Sequence, residues 1–348
     1  MKRRIFPQLD GMRGAAALLI LAHHYWPGWD LWDPTGGRIG VDFFFVLSGY
    51  LITRSLLLDR QFSTESRLTV LTRFYTRRAW RILPLFYVVC AMAIWRGWMT
   101  TGNGMFWHLS FLSNFYFIKE GRFVGPAGHL WAVAVEQHFY LFWPLILLFV
   151  PKRHLRAATL AMIGTAVLCR AAAGLLGWPK LTIDLLTTDA FESLGAGSFL
   201  ACSEESGSLM GALGLILTVI RFACRGSAAG GWLSLTGTEL SRSLLLAWLI
   251  ACGVRGIHGW AGRWLESTPG RALGHWSFAV YLSHNFVMCL TVAELGGQVS
   301  EAILPFIALS LTLGWSMAAY HLIEKPLAER RRTDRSVIDI PISGAVLD

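Results

Sequence analysis

In "LDGMRGAAALLILAHHYW" (residues 9–26), Arg13 and His24 stand eleven residues apart, with only small or apolar residues between Arg13 and His23. At about 100° per residue that spacing is about 20° from three full turns, so both side chains leave one face of a helix. Along the axis they are separated by roughly 16 Å. Taken singly, Arg13 can snorkel to lipid headgroups and His24 can bond a neighbouring helix. Two ionisable groups aligned on one face of an apolar segment instead mark a site or a pathway. An imidazole in such a place can act as a general base when a carboxylate orients it and stabilises its cation.

Two carboxylates reach a similar depth. Asp42 lies near the start of "GVDFFFVLSGYLI" (40–52), and Glu136 lies inside "GHLWAVAVEQHFYLFWP" (128–144). Glu136 is seven residues after His129 and four before Tyr140, a stripe on one helix face. A structural His–Glu hydrogen bond would use the same residues. The cost of burying a carboxylate for structure alone favours a catalytic pairing of His24 with Glu136 or Asp42.

"RFYTRRAWRILP" (73–84) gathers Arg73, Arg77, Arg78 and Arg81 at the mouth of an apolar run, with Arg78 and Arg81 three apart on one face. Such a cluster obeys the positive-inside rule without any ligand, and equally suits the phosphates of a donor. Further on, "SFAVYLSHNF" carries Tyr281 and His284 one turn apart, and "HLIEKPL" carries Glu324. Tyr140, Tyr281 and His284 are supporting candidates; bonds within a helix bundle would explain them as well. His275 reads as interfacial.

The elements that must position these residues are membrane helices. Of 348 residues 54% are hydrophobic and only 15% charged, against about a quarter charged in soluble domains. The mean hydropathy is +0.48. Ten spanning candidates lie near 11–27, 39–58, 82–99, 129–150, 156–177, 188–203, 208–224, 232–253, 274–294 and 303–323. The sixth and seventh are short and contain glycine. Lys2, Arg3 and Arg4, the arginines between spans two and three, and those after spans four, eight and ten fall on one side if ten helices alternate. The fold class is therefore all-α, a polytopic membrane bundle of about ten transmembrane helices with both termini cytoplasmic. Arg221 and Arg225 break the pattern.

Residues 1–335 form a single integral-membrane domain, and 336–348 a short unassigned tail. The aromatic-rich connection 100–128 reads as an interfacial or re-entrant segment. The basic start lacks a small-residue cleavage site, so the first helix is expected to be retained. The six cysteines sit in apolar stretches without a CxxC pair, which suggests neither a disulfide frame nor a metal site.

These fragments, in this order, resemble the membrane acyltransferase-3 family, which O-acylates cell-surface glycans and glycosylated metabolites. The resemblance runs from about residue 8 to 327 through "LDGMRGAAALLILAHHYW", "GVDFFFVLSGYLI", "RRAWRILPLFY", "HLWAVAVEQHFYLFWP", "YLSHNF" and "HLIEKPL". It implies transfer of an acyl group, most simply acetyl, from cytoplasmic acyl-CoA to a hydroxyl of an extracytoplasmic glycan. Arg13 and His24 would be essential, with Arg78, Arg81 and Arg13 on the donor side. No metal and no nucleic acid are implied; the partners are acyl-CoA, the acceptor and the lipid bilayer of the cell membrane. "EQHFY" departs from the two consecutive glutamates common in the family, and "YLSHNF" from the aromatic that often precedes the histidine. The 348 residues are not expected to include the esterase-like domain that some members carry, so an acyl relay to one would be expected to need another protein. The competing class is a proton-coupled transporter or flippase for a glycan precursor, which suits buried His, Glu and Arg equally. The absence of a repeated RxxxxxxxxxxH or GVDFFF piece favours the enzyme. A sugar transferase with a lipid-linked donor would need acidic metal-binding clusters, and none is evident.

Overall fold

The computed structural model describes residues 6–26, 36–100, 102 and 104–333, so the tail 336–348 lies outside the described residues. The described residues form helices joined by turns and short loops, with one isolated bridge between Gly296 and Val299. The first three helices are α1 (Pro7–Tyr25), α2 (Gly36–Phe62) and α3 (Arg67–Trp95). The connection after α3 folds into two short helices, α4 (Met105–Leu109) and α5 (Ser113–Glu120), before α6 (Leu130–Phe149). Next come α7 (Leu155–Leu175), short α8 (Lys180–Leu185) and α9 (Phe191–Cys202), then the hairpin α10 (Gly207–Ala223) and α11 (Ala228–Arg255). The chain continues with α12 (Gly259–Glu266), α13 (Thr268–Leu295), α14 (Leu304–Ala319) and α15 (Lys325–Thr333). A single π-helical turn, Tyr320–Glu324, joins the last two.

Among the described residues eight helices are long and apolar enough to cross a membrane: α2, α3, α6, α7, α10, α11, α13 and α14. The protein is thus an all-α, multi-pass membrane bundle. Its outer faces expose Leu141, Phe142, Leu168, Leu215, Ile216 and Phe306, as expected where lipid rather than water is the solvent. α9 follows the expected sixth span, but its twelve residues reach about 18 Å, less than the roughly 30 Å hydrocarbon core.

α3 starts fifteen residues before the expected span at 82. Ser66 caps it by accepting from the Thr69 amide at 3.1 Å. Its first half is amphipathic, burying Val70, Leu71 and Phe74 between arginines, a pattern that a hydropathy average does not register. The arginine cluster therefore lies on the helix itself, not in a loop before it.

α1 lies between α2 and α13, and α9 is wedged among α2, α7 and α11. Lipid is as apolar as leucine, so such helices are held by close packing and polar bonds. Glycine permits the two closest crossings. A Cβ on Gly274 of α13 would fall 1.9 Å from the Asp10 carbonyl oxygen of α1, and one on Gly197 of α9 would fall 1.8 Å from that of Val46 in α2. α1 and α13 run in parallel: Gly14 meets Gly270 and Gly274, while eleven residues along α1 the Tyr25 hydroxyl donates to the His284 carbonyl at 2.8 Å. Beside them α2, α3 and α6 share a core containing Ile52, Leu56, Phe74, Ile82, Phe139 and Trp143. The segment between α3 and α6 is packed rather than solvated: Phe117 and His108 are fully buried, and Asn114 donates to the Leu185 carbonyl at 3.1 Å.

Candidate active site

A cavity of about 870 Å³, counting its open mouth, is enclosed by α1, α2, α3, α6 and α13. Arg13, Arg78 and Arg81 line it together with Glu136, Tyr140 and Tyr281. The expected donor residues, one expected carboxylate and two supporting tyrosines thus meet in one place. Three arginines face one carboxylate in this lining, an excess of positive charge in a low-dielectric setting. Arg81 is exposed. Arg78 is held over the Tyr140 ring at 5.1 Å and the Phe74 ring at 5.7 Å, a cation–π arrangement that fixes its long side chain. Arg13 is within electrostatic reach of Arg81, Asp10, Tyr140 and Glu136. Glu324, on the π-helical turn, feels Arg81 and Arg13, and its Oε1 is buried without a hydrogen-bond partner. π-turns of this kind recur at functional sites.

Glu136 does not contact His24. Its Oε1 accepts from Tyr140, one turn along α6, and from Ser48 across on α2. The Glu136–Tyr140 stripe is as the sequence predicts; Ser48 was not anticipated, because its partner is 88 residues away. Asp42 is not beside His24 either. It is buried on a different face of α2, where Arg38 reaches one oxygen at 3.2 Å and Arg242 of α11 the other at 2.6 Å. The expectation that a carboxylate partners His24 is corrected on both counts, since each carboxylate is already occupied by a closer partner.

Asp42 belongs to a buried ion network that sequence reasoning missed. Arg38 also pairs with Asp189. Arg170 of α7 binds Asp189 at 2.5 Å and Glu192 at 2.8 Å, and lies 3.5 Å from Glu239. The signal was present: Arg170, Glu192, Glu239 and Arg242 are charges inside apolar stretches, which require partners. Which charge meets which is not written in one sequence.

His24 sits near the end of α1 among histidines. Its ring lies 5.1 Å from that of His23 and 4.8 Å from that of His284, and it is exposed. The ring of His129, at the start of α6, is 4.9 Å from His284 on the other side. His284 is fully buried; its Nδ1 donates to the Tyr281 carbonyl at 2.7 Å, and its Nε2 has no partner. A buried acceptor left unpaired costs about 1–3 kcal/mol. His129 is saturated: its Nε2 donates to the Leu282 carbonyl at 2.9 Å and its Nδ1 accepts from Asn285 at 3.3 Å. In the sequence His129 stands out only by its helical phase with Glu136. Tyr281 links cavity and cluster, because it lines the first, donates to the His129 carbonyl at 2.7 Å, and lies 5.7 Å from the His284 ring. Among the described residues, no group of three His, Cys, Asp or Glu is arranged to hold a metal ion.

A helical membrane bundle with an arginine-lined cavity joined through Tyr281 to a histidine cluster defines a polytopic membrane protein with an internal polar site. The acyltransferase-3 family profile, an acyltransferase domain, matches residues 6–321, and the chain belongs to that family. YrhL of Bacillus subtilis, whose name assigns it provisionally as a peptidoglycan O-acetyltransferase, is 31% identical over 93% of this chain and 55% of its own length. The peptidoglycan O-acetyltransferase OatA of Listeria monocytogenes is 32% identical over 42% of this chain and 25% of its own. For the O-acetyltransferase OatA of Staphylococcus aureus the values are 32%, 43% and 26%. The chain therefore spans about half of the first relative and about a quarter of the other two. No solved structure matches.

Proposed function

We propose that this chain is a membrane O-acyltransferase that moves an acetyl group from acetyl-CoA to a hydroxyl of an extracytoplasmic glycan, with peptidoglycan the first candidate. The observation that carries this reading is the grouping of Arg13, Arg78 and Arg81 in one cavity whose wall continues through Tyr281 to the His24–His284 pair. Charge-assisted bonds from arginine suit phosphate, so the nucleotide end of the donor takes the arginine end, with its thioester arm directed along the cavity. The glycan acceptor is supported by the names of the relatives. Ten alternating crossings with both termini cytoplasmic, as the distribution of Lys and Arg suggests, would put the arginine end on the side where acyl-CoA is made.

In this reading His24 takes the proton of the acceptor hydroxyl as its oxygen bonds to the thioester carbonyl carbon. The C–S bond then breaks, and the proton passes from His24 to the departing thiolate, giving an ester and free CoA. Transfer through an acyl-histidine would use the same residue in two steps. The test is mass analysis of peptidoglycan from cells with and without the gene. A gene-dependent O-acetyl group on the sugar is expected; identical acetate content in both would overturn the peptidoglycan assignment.

A further inference from the structure

Outside the arginine cavity, the most unusual polar group near the site is the Nε2 of His284. It is buried and has no protein partner. Its tautomer follows from geometry: the Tyr281 carbonyl only accepts, so Nδ1 carries the hydrogen and Nε2 a lone pair. Of the rings beside it, His129 has both nitrogens engaged, with Leu282 and Asn285. The ring of His24, 4.8 Å away between centroids, has an exposed side and makes no hydrogen bond to either expected carboxylate. Tyr25, the next residue after His24, donates to the His284 carbonyl at 2.8 Å and lies 2.6 Å from the Thr312 hydroxyl. That anchor ties the end of α1 to α13 and α14 and sets the separation of the two rings.

We propose that His284 is the positioning residue for His24: on a turn of the neighbouring His24 ring, its Nε2, unpaired in this structure, accepts the N–H of one His24 nitrogen and so leaves the other nitrogen a free base on the exposed side. The inference rests on His24 being the base. In neutral imidazole one nitrogen donates and the other accepts, and a second-shell bond decides which. When the free nitrogen takes the hydroxyl proton, the N–H shared with His284 stays in place and the positive charge spreads over two rings. The proton later leaves from the same free nitrogen to the thiolate, so His284 is neither acylated nor protonated in the cycle. A neutral imidazole thereby occupies the place that a carboxylate holds in many hydrolytic triads.

The test compares two substitutions in the full chain reconstituted in proteoliposomes, with labelled acetyl-CoA as donor and purified peptidoglycan as acceptor. His284→Asn keeps a donor for the Tyr281 carbonyl but removes the Nε2 acceptor; His284→Gln loses the first and places an amide oxygen near the second. Positioning predicts that His284→Asn lowers kcat at least tenfold with the acetyl-CoA KM unchanged, and that His284→Gln is the faster of the two. A purely structural role predicts the reverse order, tracking thermal stability, and would overturn the proposal. So would a wild-type kcat in His284→Asn. Should His284→Asn fail to fold, His284→Gln is read against wild type: keeping a tenth of kcat supports the pairing, and a loss as deep as that of His24→Ala overturns it. Normal transfer by His24→Ala would instead remove the base itself, a distinct failure.

Discussion

Ser48 on α2 and Tyr140 on α6 both direct their hydroxyls onto one oxygen of Glu136 inside the arginine cavity. Glu136→Gln keeps an amide oxygen as acceptor and is expected to leave thermal stability unchanged. Glu136→Ala leaves the hydroxyls without their partner and should cost about 1–3 kcal/mol. Unfolding of purified protein in detergent measures both, and equal stability of the two variants would mean that water replaces the carboxylate.

His24→Ala should lower acetyl transfer by about a hundredfold or more, the scale of a lost general base, while the protein inserts and folds normally. His23 points about 100° away on the same helix, so His23→Ala should retain most activity. Transfer assays on matched amounts of folded protein decide it; equal losses in both variants would assign the effect to local packing.

Replacing Arg78 and Arg81 together by alanine should raise the acetyl-CoA KM at least tenfold with a smaller effect on the acceptor. The expectation follows from about 1.5–3 kcal/mol for each charge-assisted bond. Reporter fusions must show unchanged topology, because these residues also bear on orientation. An unaltered donor dependence would leave them with that topological role alone.

Asp42→Asn should behave as a stability variant rather than a chemical one. Arg38 and Arg242 would lose their shared carboxylate, and breaking a buried pair costs about 3–5 kcal/mol. The folded fraction that survives should show a near-normal acetyl-CoA KM. A fully stable Asp42→Asn variant with abolished transfer would place Asp42 in the chemistry after all.

Helix arithmetic within one segment was legible. Arg13 lines the cavity and His24 lies beside His284 of α13; Glu136 and Tyr140 are bonded one turn apart; Arg78 and Arg81 share a wall. What periodicity does not encode is the order of helices around the bundle. Asp42 finds Arg242 across 200 residues, and His24 meets a histidine from the thirteenth helix rather than a carboxylate from the second or sixth. Depth estimates placed Glu136 and Asp42 near His24, yet depth fixes only one of three coordinates. The direction in which each helix turns its polar face fixes the others.

The close contact of α1 with α13 has a consequence for how the protein is made. Gln8 bonds to the Ile257 carbonyl across 249 residues, and Tyr25 to that of His284 across 259. In synthesis α1 emerges before α13, its principal neighbour, with the intervening helices made in between. Until then the first helix stands without its principal neighbour, and a cavity walled partly by Ser277, Phe278 and Tyr281 does not exist. A chain that stops before α13 therefore lacks one wall of the arginine cavity, whatever the rest of its sequence.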